Sequence, residues 1–157
     1  MKLSFSRFDI VINIACLALI VGSVINLIVA WNTLPDQFPA QYDFAGNVTR
    51  WGGKGELIAM PVIAWVSYLL LSIIERFPQI WNTGVKVTEA NKERVYRTMK
   101  SFLSVTKLIL VAPFVLILLN TTLSDVLHGW WIVYIILTVV SIVFFFVKLI
   151  RASRTIM

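Results

Sequence analysis

The sequence has few of the side chains that enzymes and metalloproteins depend on. Among 157 residues there are one cysteine and one histidine, and 14% of the residues are charged, against roughly 25% in a soluble domain. Cys16 alone cannot form an intramolecular disulfide, and His128 alone cannot build a multi-histidine metal site. Gly52-Gly53-Lys54 lacks the spacing of a phosphate-binding loop. We therefore predict no enzymatic activity and no cofactor.

One short turn between two apolar runs does hold residue types that catalyse reactions. Ser124 and Asp125 lie there together with His128. The carboxylate and the imidazole are three positions apart, which brings them close in a turn. A solvated turn accounts for the same residues without any further requirement, and we favour it over a catalytic set.

Charge is absent from four long stretches of the chain. Each is close to the ~20 residues that a helix needs to cross a hydrocarbon core of about 30 Å, and backbone in lipid has to satisfy its own hydrogen bonds. The sequence therefore predicts an all-α integral membrane protein, with residues 1–157 forming one membrane domain, a four-transmembrane-helix bundle. The predicted spans are 9–31, 57–75, 104–124 and 129–149. No charged residue lies in the middle of a span, which counts against an ion-coupled transporter.

The basic residues predict the orientation of this bundle. Of the fourteen Lys and Arg residues, only Arg50 and Lys54 fall in the predicted outer loop, 32–56. Basic residues favour the cytoplasmic side, so both termini and the loop 76–103 are predicted to be cytoplasmic and 32–56 extracellular. The same bias explains the net charge of +6. Anionic headgroups of the lipid bilayer are a simpler partner for it than nucleic acid.

The outer loop has the composition of an ordered cap. Apolar and polar residues alternate from Gln37 to Phe44, which is typical of an extended segment with one apolar face. Pro39 restricts that segment to an edge strand or an unpaired one. Turns are predicted at Ala45-Gly46-Asn47 and at Trp51-Gly52-Gly53. We expect the apolar face to lie on the bundle or on the lipid headgroups and the polar face to point outward.

The outward-facing residues of this loop are the candidates for binding a partner, either a secreted peptide or another membrane protein. They are Asp36, Gln41, Tyr42, Asp43, Arg50, Trp51 and Lys54. The carboxylates of Asp36, Asp43 and Glu56 can pair with Arg50 and Lys54, or they can bind a cation. Pairing or solvation is the simpler interpretation, and no metal site is predicted.

The first span carries small and polar residues at a spacing of four. They are Ala18, Gly22, Asn26 and Ala30. Small residues at this spacing let helix backbones approach closely, and an Asn side chain can hydrogen-bond across the interface. A packing seam within the chain is the commoner use of such a row, and a homodimer seam is the alternative.

An amphipathic cytoplasmic segment, 88–107, precedes the third span. Thr88 is the predicted N-cap of its helix, and Val95, Met99 and Phe102 form an apolar stripe. Such a helix either lies on lipid headgroups or docks a cytoplasmic protein, and both interpretations stay open.

The order of residues in the outer loop resembles a known signature. The loop reads Leu34-Pro35-x-x-Phe38-Pro39-x-x-Tyr42-x-x-x-Gly46-x-x-x-x-Trp51-Gly52-x-Lys54, and a later segment reads Val85-x-Val87-Thr88-x-x-Asn91-x-x-Arg94-x-Tyr96-Arg97. Together these two patterns are similar to those of a widespread bacterial family of membrane proteins of unknown function. The same domain forms the amino-terminal part of the sporulation-delaying-protein immunity family. Gln41 stands where family members often have His, which argues against a role that needs an imidazole.

The resemblance implies a protein of the bacterial cytoplasmic membrane whose outer loop gives immunity to a secreted peptide toxin. The alternative is an accessory or regulatory subunit of a membrane transporter or signalling complex. That subunit would dock a cytoplasmic protein through residues 88–107. A membrane enzyme is a remote third interpretation.

Overall fold

Four helices and one β-hairpin make up the fold. A computed structural model describes residues 6–43, 45, 47–123 and 129–154. The helices are α1 (Arg7–Ala30), α2 (Ala59–Glu75), α3 (Lys92–Thr122) and α4 (Trp130–Ser153), and the strands between α1 and α2 are β1 (Gln37–Tyr42) and β2 (Val48–Gly53). Each helix is long and apolar enough to cross a membrane, α2 together with the 3-10 turn Lys54–Ile58 that leads into it. The prediction of four membrane-spanning helices is confirmed in this form.

Local sequence signals account for where the first two helices begin. Ser6 and Asp9 form a reciprocal cap at the start of α1, where Ser6 Oγ accepts from the Asp9 amide at 3.1 Å and Asp9 Oδ2 accepts from the Ser6 amide at 2.9 Å. This cap satisfies two of the backbone amides that a helix start leaves without a partner. Pro61 lies in the first turn of α2, where a missing amide hydrogen costs nothing.

Helix α3 is the centre of the bundle, and the other three helices pack mainly on it. Its 31 residues give a length of about 46 Å at 1.5 Å per residue, so it extends well beyond a hydrocarbon core of about 30 Å. Midway along the bundle, Ile20 of α1, Ala64 of α2, and Val111 and Val115 of α3 form a fully buried apolar cluster. We call these four residues the apolar layer.

The predicted N-cap of the cytoplasmic helix is wrong by three positions. The helix begins at Lys92 and its N-cap is Asn91, not Thr88. The side chain of Asn91 instead ties the preceding loop to the end of α4. Its Oδ1 accepts from the Thr88 amide at 2.8 Å, and its Nδ2 donates to the carbonyls of Lys86 and Ser153 at 3.1 and 2.8 Å. A short turn at Thr88 therefore precedes the helix.

The apolar stripe of the segment 88–107 is covered by the chain itself. Val95 and Met99 pack with Trp81 of the preceding loop and Leu149 of α4, and Phe102 lies against the same cluster. Val95 and Met99 are therefore buried inside the chain, and contact of the segment 88–107 with headgroups or a soluble partner stays a prediction for its other residues. The reason for this burial is that α3 continues without a break from the cytoplasmic segment into the third span, which brings the stripe against α4.

Removing the Asn91 side chain tests how strongly the loop is tied to α4. Asn91→Ala leaves the Thr88 amide and two carbonyls without their partner, and a buried polar group that loses its hydrogen bond costs about 1–3 kcal/mol. We expect the unfolding free energy in detergent micelles to fall by that amount. Asn82→Ala is the matched control, since Asn82 is exposed and accepts one bond, from the Gly84 amide. An equal loss in both variants would contradict the prediction.

Candidate functional site

The two strands of the outer loop pair as an antiparallel hairpin. Gln37 lies opposite Gly53, Pro39 opposite Trp51 and Gln41 opposite Arg50, with irregular register on either side of Gln41. The chain reverses at Asp43, whose Oδ1 accepts from the amides of Ala45 and Asn47 at 2.9 and 2.8 Å. An aspartate that binds the backbone ahead of it mimics a turn, which explains why the reversal falls at this residue.

The second turn predicted in this loop, at Trp51-Gly52-Gly53, is wrong. These residues continue β2, and neither glycine has a positive φ angle. Gly52 is needed for close approach instead, because a Cβ atom there would lie 2.9 Å from the Cβ of Ala40 and 3.2 Å from the carboxyl group of Glu56. A glycine in a strand commonly marks such a contact.

The hairpin has a buried underside. Phe38 of β1 packs with Leu34, Leu57, Leu27 of α1 and Leu118 of α3, and Ala40 lies against the same cluster. The hairpin is therefore held by the ends of two helices and by the turn that leads into α2. Phe38 and Ala40 thus face the bundle, while Phe44 and the side chain of Tyr42 lie outside the described residues.

An ion pair holds the other face of the hairpin. The Arg50 guanidinium donates to both carboxylate oxygens of Glu56, at 3.0 and 2.9 Å, and Glu56 also accepts from the Gly53 amide at 3.1 Å. This hydrogen bonding raises the pKa of Arg50 above its ordinary value. The prediction that Glu56 pairs with a basic residue of the loop is confirmed, and its partner is Arg50. Both side chains are nearly half exposed, so solvent screens the attraction within the pair.

Lys54 is the second basic residue of the loop. Its ammonium lies 5.0 Å from the centre of the Trp31 ring at the end of α1, which is within the distance of a cation–π contact. Its amide donates to the Asp36 carbonyl at 3.0 Å. These two contacts fasten the base of the hairpin to α1.

Most of the predicted partner-binding residues lie exposed on this hairpin. Asp36, Gln41, Asp43, Arg50 and Trp51 are exposed, Lys54 is half-buried, and Tyr42 belongs to β1. Trp51 is the largest exposed side chain among them, with 59% of its surface accessible. Within the described residues no group of three or more His, Cys, Asp or Glu side chains could hold a metal ion. The catalytic set considered at 124–128 lies outside the described part of the chain.

Comparison with protein families identifies one segment. A DUF1648 domain, a domain of unknown function, is found at residues 18–64. No curated protein and no solved structure matches the chain. The DUF1648 segment contains most of α1, the whole hairpin and the first turns of α2. The hairpin and its underside are therefore the parts of this chain that the domain describes.

The row of small residues on α1 divides between two environments. Asn26 accepts from Thr122 Oγ at 2.7 Å, and Ala30 packs under the hairpin. Ala18 and Gly22 are exposed, so the packing seam predicted within the chain is wrong for these two. The buried residues of α1 include Cys16 and Ile20 instead, and Ile20 packs with Val111 and Val115 of α3. A homodimer seam through the row stays a prediction.

The bundle also buries a cluster of charged residues that sequence reasoning missed. Lys107 of α3 is 1% exposed, and its ammonium reaches Glu75 Oε2 at 2.5 Å and Asn13 Oδ1 at 2.8 Å. The other oxygen of Glu75 accepts from Ser104 Oγ at 3.3 Å. The Tyr68 hydroxyl donates to Asn13 Oδ1 at 3.3 Å. Three helices thus meet at one ammonium group, and every member of this cluster lies outside the DUF1648 segment.

The sequence carries a signal for this cluster. Glu75 and Lys107 lie at the ends of predicted spans, where charges are ordinarily solvated or snorkel to the interface. Lys100, Ser104 and Lys107 are nevertheless spaced by four and three, which puts all three on one face of a helix. A polar stripe on the face that enters a bundle predicts a buried polar contact with neighbouring helices.

Two neighbouring glycines test the packing of the hairpin. Gly52→Ala forces a Cβ against Ala40, and overpacking of this kind costs roughly 1–3 kcal/mol. We expect faster amide hydrogen exchange across β1 and β2, measured by mass spectrometry. Gly53→Ala is the control, because nothing lies within 4 Å of its Cβ position. Equal exchange in the two variants would show that Gly52 is not a close-contact position.

Proposed function

We propose that this chain is a multi-pass protein of the bacterial cytoplasmic membrane whose external hairpin binds a secreted peptide and protects the cell from it. The observation that carries the proposal is the exposed Trp51 on a hairpin with a buried underside. The loop signature and its resemblance to an immunity family supply the class of partner. Gln41 and Arg50, opposite each other on the two strands, extend the same exposed region.

The geometry of Trp51 suits recognition of a partner. Tryptophan is enriched among the residues that dominate binding energy, because one rigid side chain offers a large contact area. The strand that carries Trp51 is fixed by Phe38 below and by the Arg50–Glu56 pair beside it. Little conformational freedom of the backbone is then lost on binding, which favours affinity.

Charge supports the proposed orientation. At the end of the bundle opposite the hairpin, exposed basic residues are concentrated at Arg76, Arg94, Arg97 and Arg151. Basic residues near helix ends favour the cytoplasmic side. Trp31 at the end of α1 and Trp131 at the start of α4 fit the aromatic belt of the outer interface.

The accessory-subunit alternative is less well supported. It requires docking through the segment 88–107, whose apolar stripe packs against Trp81 and Leu149. Apart from Ala90, the exposed residues of that segment are charged, and Glu93 pairs with Arg97 at 3.1 Å. Copurification of a cytoplasmic protein from mild detergent, lost when Glu93 and Arg97 are both changed to Ala, would favour this alternative.

Cysteine labelling tests the orientation. In a Cys16→Ala background, Thr49→Cys on β2 and Ala90→Cys before α3 each place one thiol at an exposed position. A membrane-impermeant maleimide should label Thr49→Cys in intact cells and Ala90→Cys only after permeabilisation. The reverse pattern would show that the hairpin lies inside.

The role of Trp51 is tested by sensitivity to peptides secreted by the bacterium that carries the protein. If the hairpin binds such a peptide, Trp51→Ala should cost at least about 2 kcal/mol of binding, or roughly 30-fold in affinity, and cells should lose protection accordingly. Trp131→Ala is the matched control, since Trp131 is 55% exposed against 59% for Trp51 but lies on α4. Protection that is unchanged by Trp51→Ala, with expression verified, would refute the proposal.

A further inference from the structure

Four charged side chains are buried where α1, α2 and α3 meet. They are Asp9, Glu75, Lys100 and Lys107, each no more than 6% exposed. Two are acidic and two are basic, so their formal charges cancel. Ionisable groups buried among membrane helices are expensive, and they commonly mark ion or proton sites.

The pairing within this cluster is uneven. Lys107 and Glu75 are matched to each other, and both also bond to neutral groups, Asn13 and Ser104. Asp9 is 1% exposed, and its Oδ1 has no hydrogen-bond partner among the residues that the structure describes. A buried carboxylate oxygen without a donor is costly, so the cluster is not fully satisfied as an ionic network.

The cluster belongs to a polar column that is closed at one end. Along α3 the buried residues from Thr98 to Lys107 include Lys100, Ser101 and Ser104. Beyond Lys107 the apolar layer follows, and each of its residues is at most 2% exposed. The polar residues of the column thus lie toward the end of the bundle where α1 and α3 begin, while the apolar layer separates the cluster from the hairpin.

We propose that the Glu75 carboxylate is a proton-binding site and that its protonation releases the end of α2 from α1 and α3. A proton from the solvent adds to one carboxylate oxygen and forms a neutral carboxyl group. Lys107 stays an ammonium ion and keeps Asn13 Oδ1 and the Tyr68 ring, 5.3 Å away, but it loses its counter-charge. Glu75 is the last residue of α2, so the ion pair joins that end of the helix to α3.

The other titratable groups that face this site come from all three helices. They are Asp9 and Cys16 of α1, Tyr68 of α2, and Lys100 and Lys107 of α3. Among the described residues that face the site, Asp9 is the only other carboxylate, and it is engaged by the cap with Ser6. The inference does not rest on the proposed function, because no residue of the site belongs to the hairpin.

Infrared difference spectroscopy of the full chain in lipid nanodiscs tests the proton site. As the pH is lowered, the wild-type protein should gain a carboxylic-acid C=O band characteristic of a buried carboxyl group. This band should be lost in Glu75→Gln and kept in Asp9→Asn. Glu93→Gln is the control, since Glu93 is exposed. If Glu75→Gln does not fold, persistence of the band in Asp9→Asn carries the assignment. Absence of the band in the wild type, or its loss in Asp9→Asn, overturns the proposal.

Spin-label distances test the release of α2. In a Cys16→Ala background, Arg7→Cys and Arg76→Cys carry labels at exposed positions near the start of α1 and the end of α2. The distance distribution should shift to longer values over the same pH range in which the carboxyl band appears. Adding Glu75→Gln should give the longer distances at every pH. A distance that does not respond to pH would identify the pair as a fixed structural contact and overturn the proposal.

Discussion

The ammonium group of Lys107 imposes the strictest requirement on this fold, because a charge buried among helices has to meet its counter-charge. Removing one partner of such a pair costs about 3–5 kcal/mol. α2 supplies Glu75 and α1 supplies Asn13. The rotation of α1 about its axis is then fixed, and it turns Cys16 and Ile20 toward α3. The same rotation places Leu27 under the hairpin, so a contact at one end of the bundle helps to position the cap at the other.

The helices could be predicted from the sequence because apolar runs of about 20 residues have one stable backbone arrangement in lipid. The hairpin could be predicted only in part. Alternation correctly placed Phe38 on the bundle side, but Trp51-Gly52-Gly53 combines turn residues with a strand conformation, and only the position of Ala40 shows why Gly52 is there. The Lys107 cluster escaped prediction for another reason. Its members are 94 and 32 positions apart along the chain, and the pattern within α3 alone does not name their partners.

The hairpin and the Lys107 cluster differ in their exposure to solvent. The hairpin is exposed and fixed in place, with Trp51 on a strand whose underside is buried. The Lys107 cluster is buried and carries ionisable groups. The apolar layer around Val111 lies between them along the bundle. The packing of α1 and α2 on α3 joins the two parts.

The bond between Asn91 and the carbonyl of Ser153 joins parts of the chain that are synthesised far apart in time. Trp81 and Val95 likewise depend on Leu149 of α4 to complete their buried cluster. When α3 emerges from the ribosome, the loop before it therefore lacks both a hydrogen-bond acceptor and an apolar neighbour. That loop reaches its final conformation only once α4 has been made and has inserted beside α3, so the last helix decides when the connection between the second and third helices is finished.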